Sequence, residues 1–136
     1  MLLLAALIIG CCPCRFSRKN AKPLIGTTWH LIQLLGQDVH FKNGTFDITF
    51  GDDNRLTGIG ACNNFSASYS TTANEGIDVG TIASTRMFCP ESETEQKLFR
   101  ELDDATHFEI DGAMLLLLNN GEIRAIFSAS TISESK

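Results

Sequence analysis

Two cysteines set in two short motifs constrain the fold of this chain more than any other feature. The first motif is Gly58-Ile59-Gly60-Ala61-Cys62-Asn63-Asn64-Phe65-Ser66-Ala67-Ser68-Tyr69; the second is Ser84-Thr85-Arg86-Met87-Phe88-Cys89-Pro90. Small residues in the first let backbone approach backbone closely, and its paired asparagines tolerate tight or left-handed turns, so it reads as a corner. It ends on the only tyrosine of the sequence. Cys89, just ahead of a proline and a helix signal, is the natural covalent partner of Cys62. In the chain-entropy account, a bridge closing the loop between them stabilises by roughly 3.5 kcal/mol. The alternative is two free, buried cysteines acting as small hydrophobes, and the compartment decides between the two.

The N-terminus bears on that choice. Leu2 to Ile9 is an unbroken apolar run, too short to span a bilayer as a helix but the right size for the core of a secretory signal. Ile8-Ile9-Gly10-Cys11 fits a lipobox, the signal for diacylation of a cysteine that becomes the new N-terminus, which makes Cys11 the expected lipidation site. Cys12 follows a cysteine and Cys14 a proline, and neither fits. Only the Met1 amine is positive ahead of the run, so the start of the signal is expected upstream of Met1, or the chain was trimmed. Export to an oxidising compartment favours the paired reading of Cys62 and Cys89. Of the five cysteines, acylation of Cys11 leaves an even number. Cys12 and Cys14 alone fall short of the four ligands of a structural zinc, so no metal or other cofactor is expected.

These readings divide the chain into a signal peptide at 1–10, a basic tether at 11–22, a folded domain at 23–128 and a loose tail at 129–136. Arg15, Arg18, Lys19 and Lys22, with no acid among them, suit a solvated tether near an anionic membrane face. The formal net charge is −5, and from Pro23 onward 7 basic against 16 acidic residues give −9. Nucleic acid is thereby a poor partner, since phosphate binding needs clustered Lys and Arg. The remaining length suits one core.

Period-2 alternation dominates the folded part. Trp29 to Leu34 forms a first strand. Phe46, Ile48 and Phe50 alternate with Thr45, Asp47 and Thr49, the signature of an antiparallel sheet with one wet face. Arg55 to Ala61 is the expected return strand, with Gly58 and Gly60 marking a bulge or sharp bend. Ser66 to Thr71 and Ile77 to Thr81 form a hairpin about Asn74-Glu75-Gly76. Ser92 and Glu95 have capping-box spacing at the start of a helix over 93–103, whose Leu98, Phe99 and Leu102 share a face. Asp111-Gly112 and Asn120-Gly121 are hairpin signals joining three further strands. The central one, Ala113 to Leu118, is apolar on both faces and therefore internal to the sheet.

With these residues in view, a resemblance can be named. The Gly60 to Tyr69 run, the Ser84 to Pro90 run, Glu95 with Phe99 and Leu102 on a helix, and Trp29-His30-Leu31 near the start resemble the META domain of the HslJ-like heat-shock lipoproteins. The resemblance covers about residues 24 to 128. Ala61 and Ala67 stand where that family usually has glycine. Asn63, Tyr69, Thr85, Arg86, Met87 and Glu95 match its structural motif. The resemblance implies a small, mostly antiparallel sheet or cracked barrel with one short helix, in envelope proteins linked to stress and novobiocin resistance and in a protozoan virulence-associated relative, with no established catalytic activity. The family fold is likened to the cracked barrel of lipidated secretion pilotins, which implies binding of an apolar segment or acyl chain, an analogy of fold only.

Three functions follow as expectations. The first is a non-catalytic lipoprotein of the cell envelope, held to the membrane through acylated Cys11, which binds or stabilises another envelope component under stress. Cys12 in place of aspartate after the lipid cysteine leans towards the outer membrane, facing the periplasm. The second is a pilot- or chaperone-like carrier with an apolar groove lined by Phe65, Met87, Phe88 and Leu98, although such spacings more often mark core. The third is an enzyme, and the residues argue against it. His30, His40 and His107 lack metal spacing, and Gly58-Ile59-Gly60 lacks the rest of a dinucleotide fingerprint. Asp52-Asp53 and Asp103-Asp104 read as solvated turn acids. Cys62 or Cys89 could serve as a nucleophile only if unpaired.

Overall fold

A computed structural model of the chain describes residues 21–130. The signal at 1–10, the lipidation site Cys11, the tether up to residue 20 and the tail from 131 lie outside the described residues.

Among the described residues, alternating apolar and polar residues build an antiparallel sheet of ten strands with one helix. In chain order the strands are β1 (Thr28–Leu34), β2 (Gln37–Asp38), β3 (Asp47–Phe50), β4 (Arg55–Ile59), β5 (Asn64–Thr71), β6 (Ile77–Val79) and β7 (Ala83–Ser84). Helix α1 (Ser92–Asp104) follows, then β8 (His107–Asp111), β9 (Met114–Asn119) and β10 (Glu122–Ala129). Hydrogen-bonded neighbours run β6-β5-β4-β3-β1-β10-β9-β8, while β2 pairs with β1 and β7 with β5. The strip is not a closed barrel. Its ends meet at one isolated bridge, Gly76 to His107, where Ile77 N–H donates to the Thr106 carbonyl at 3.0 Å and Phe108 N–H to that of Glu75 at 3.0 Å.

Inward positions of β1, β3, β4, β9 and β10 supply the core: Trp29, Leu31, Ile48, Phe50, Leu56, Leu115, Leu117 and Phe127 are all fully buried. Each such side chain is worth about 1.5–3 kcal/mol of transfer free energy. Helix α1 lies over this face, with Leu98 and Leu102 completely enclosed. The apolar run of β9 sits between β10 and β8, internal to the sheet as its sequence requires.

Several expectations need correction. Gly58 lies in an unbroken register with Ile48 on β3 and Phe65 on β5, so it marks no bulge. A Cβ there would stand 2.6 Å from the Asp47 carbonyl and 2.7 Å from the Phe65 ring, so the glycine admits an aromatic ring across the strand. Phe46 does not extend β3: it takes φ 53°, a left-handed conformation rare for a bulky residue, yet is buried and stacked on Phe41 with ring centres 3.9 Å apart. Ser92 and Glu95 form no capping box, because Glu91 is the N-cap, without a side-chain bond, and both side chains are engaged elsewhere. Strand β10 also passes the expected domain end at 128: Ala129 closes it, and Ser130 N–H donates to the Thr28 carbonyl at 2.8 Å.

Candidate functional site: a pinned corner with an exposed tip

The turn between β4 and β5 holds Gly60 to Asn63, and three partners converge on it. Glu95, in the first turn of α1, is only 1% exposed. Its Oε2 accepts from the Ala61 N–H at 3.0 Å and the Asn63 N–H at 3.3 Å, and its Oε1 from Asn63 Nδ2 at 2.8 Å. An acceptor-only carboxylate is matched to three N–H donors. Gly60 is required beside it, since a Cβ at that position would collide with the Glu95 carboxylate.

Asn63 is also buried and spends its whole bonding capacity on the fold. Nδ2 donates a second bond to the Met87 carbonyl at 3.0 Å, while Oδ1 accepts from Thr85 Oγ1 at 2.7 Å and the Met87 N–H at 2.7 Å. Thr85 Oγ1 in turn accepts from the Asn64 N–H at 3.2 Å. The Cys62–Cys89 disulfide completes the corner with Cα atoms 6.4 Å apart, inside the usual range. Cys89 N–H donates to Ser92 Oγ at 2.9 Å, which ties the bridge to the start of the helix.

The structure thus brings Cys62, Asn63, Thr85, Met87, Cys89 and Glu95 together. Arg86 projects from the same loop into solvent. Tyr69 belongs to a different place, at the far end of β5: its hydroxyl donates to the Gly51 carbonyl and its ring meets Phe50 edge-on at 4.9 Å. Burial, then Asp53 and Asp52, raise its phenol above the ordinary value of 10.0.

The expected apolar groove is split. Phe65 and Leu98 are core residues, and Phe65 meets Phe99 edge-on with ring centres 4.7 Å apart. Phe88 points out of the molecule at 91% exposure beside Met87 at 58%. Two open depressions flank this region. One, of about 800 Å³, is bordered by Arg86, Met87, Phe88, Gln96 and Phe99. The other, of about 690 Å³, lies on the outer sheet face over Thr28, Thr49, Thr57 and Ser66, with Phe65 at its floor.

Two polar pairings escaped the sequence reading. Strand pairing sets Asp47 directly opposite His30, whose Nδ1 lies 2.6 Å from Asp47 Oδ1 while Nε2 lies 3.0 Å from the Phe41 carbonyl. This fastens the loop from 39 to 46 to β1. Arg124 on β10 donates to both oxygens of buried Glu101, at 2.9 and 3.3 Å, and locks α1 to the sheet. That carboxylate raises the Arg124 guanidinium further above its ordinary range. The signal for the second pair was the place of Glu101 beside Leu98 and Leu102 on the buried face of the helix.

Fold and corner together define a small antiparallel β domain closed by one helix and stapled at a single turn. The family model of the META domain matches residues 22–131. The chain belongs to the META domain family. Among solved structures it is similar to a DUF4847 family protein from Bacteroides vulgatus, at 16% identity and a TM-score of 0.63, over 82% of this chain and 96% of that one. It is likewise similar to a protein from Burkholderia xenovorans, at 18% identity and a TM-score of 0.64, over 93% of this chain and 95% of that one. Identities this low speak to the fold alone. None of the curated proteins matches the chain.

Proposed function

We propose that this META-domain chain is a non-catalytic, lipid-anchored protein of the cell envelope that binds another envelope component, in a role tied to stress, through the Met87–Phe88 tip. One observation carries this reading: Phe88 is 91% exposed on a loop that is pinned immediately on both sides. Asn63 grips both backbone groups of Met87, and the disulfide holds Cys89. An aromatic residue presented on a loop whose backbone is held on both sides spares a partner the cost of ordering that loop, which favours it as a binding anchor. Asn63 and Glu95, the buried polar residues of the corner, are fully engaged in holding the turn, which supports a structural role over acid–base chemistry.

Anchoring is tested by exporting a Cys11→Ser chain and comparing membrane and soluble fractions. Two or three acyl chains retain a domain firmly where one does not. Release of the variant with retention of the unmodified chain is expected; retention of both would defeat the anchoring reading. The tip is tested in intact cells by placing a photo-crosslinking residue at position 88 and, separately, at exposed position 59. A specific adduct from 88 alone is expected.

The depression beside Phe88 keeps a second reading open, the carrier of an apolar peptide or acyl chain, because about 800 Å³ falls in the range of small-ligand sites. Saturable, fatty-acid-dependent shifts of the Met87 and Phe88 resonances would favour the carrier over the protein-binding tip.

A further inference from the structure

The disulfide of the corner has chemically unequal halves. Both cysteines are half-buried at the surface, within reach of a dissolved reagent. The Ser92 hydroxyl lies 3.7 Å from Cys89 Sγ, able to donate to charge that develops there. Cys89 also precedes the start of a 13-residue helix by three positions, on the side of its positive dipole end. Cys62 Sγ instead lies 3.8 Å from the Met87 carbonyl oxygen, an acceptor that disfavours negative charge. Of the charged side chains close in sequence to Cys89, Glu91 and Glu93 oppose a thiolate and Arg86 favours one; all three are solvent-exposed or nearly so and therefore well screened.

The loop has holds on the corner besides the bridge. Asn63 holds Thr85 and Met87, and Thr85 N–H donates to the Asn64 carbonyl at 3.1 Å. A cleaved bridge would leave its two sulfurs facing each other in a corner that stays folded.

We propose that Cys62–Cys89 is a directional thiol–disulfide exchange site, at which the thiolate of an external dithiol attacks Cys62 and Cys89 departs. The electron pair of the attacking thiolate forms the new S–S bond to Cys62 Sγ. The Cys62–Cys89 bond breaks, and its pair leaves on Cys89 Sγ, which takes a proton from water. The second thiol of the dithiol then displaces Cys62, so the reagent is oxidised to a disulfide while the bridge gains two electrons and two protons. Direction follows because the better-stabilised thiolate leaves faster. This activity does not need the anchor, and cleavage would free the Cys89 side of the Phe88 tip while Asn63 keeps its hold on Met87.

The test pulses the folded, oxidised full chain with glutathione, quenches with acid and maps the mixed disulfides by peptide, so that Cys11, Cys12 and Cys14 are counted separately. Adduct on Cys62 should exceed that on Cys89 by about threefold or more. Ser92→Ala should bring the two towards parity, and Ser92→Thr, which keeps the hydroxyl, should restore the excess. Equal adducts, or an excess on Cys89, in the unmodified chain overturn the proposal whether or not the Ser92 variants fold. A bridge that reacts no faster than the chain globally unfolds in the same buffer overturns it as well.

Discussion

Asn63 Nδ2 donates to Glu95 Oε1 at 2.8 Å, joining a turn of the sheet to a helix that begins almost thirty residues later in the chain. Around this bond the corner has little slack. Gly60 leaves no room for a side chain beside the Glu95 carboxylate, and Asn63 has no unused donor or acceptor.

Removing Glu95 strands the Ala61 and Asn63 N–H groups and the Asn63 amide in a buried site. Glu95→Ala should lower stability by about 3 kcal/mol, read from urea unfolding. Gly60→Ala should cost about 2 kcal/mol in the unmodified chain but little on the Glu95→Ala background, because the colliding group is gone. Additive costs in that double-mutant cycle would show that Gly60 is required for some other reason.

Tyr69 predicts an alkaline limit. Its phenol is raised above 10.0 by burial and by Asp53 and Asp52, so the native state holds this proton more tightly than the unfolded chain does. The stability it supplies is complete below the unfolded value and is lost as pH climbs through the raised folded value. Urea midpoints of the unmodified chain should therefore fall more steeply above about pH 10 than those of Tyr69→Phe. Parallel curves would remove Tyr69 as the cause.

Glu101 and Arg124 are unequal partners. The carboxylate is 4% exposed and the guanidinium 30%. Arg124→Leu leaves a buried charge uncompensated, whereas Glu101→Leu leaves a cation that can turn to water. The arginine variant should show the lower urea midpoint of the two; the reverse order would mean that the contact of Glu101 with the core matters more than its charge.

Phe88 can be changed without touching the fold. At 91% exposure it packs on almost nothing, so Phe88→Ser should leave the unfolding free energy within about 0.5 kcal/mol of the unmodified chain.

Much of the fold was legible because it rests on local rules. Alternation at Ile48 and Phe50, the hairpin signals at Asp111-Gly112 and Asn120-Gly121, and the two-faced apolar run of β9 each named their own element. Pairing of Cys62 with Cys89 was legible from their motifs taken with the expected export. What escaped depends on register and long-range packing. Gly58 reads as a bulge until Phe65 is set across from it, and Glu95 reads as a helix cap until the β4–β5 turn is brought against it. Phe46 follows the strand alternation but leaves the strand, because burial against Phe41 and the bond from its N–H to the Gly60 carbonyl hold it left-handed. The groove failed for the same reason: apolar spacing cannot tell inward Phe65 from outward Phe88.

The Gly76–His107 bridge works as a lap joint in an otherwise continuous wall. One side of it is the β5–β6 hairpin and the other follows directly from the C-terminal end of α1, so parting that single seam lets the wall gape beside the helix while every long ladder stays intact. The seam and the stapled corner therefore sit at opposite ends of α1: β8 follows its C-terminal end, and Cys89 precedes its first residue by three positions.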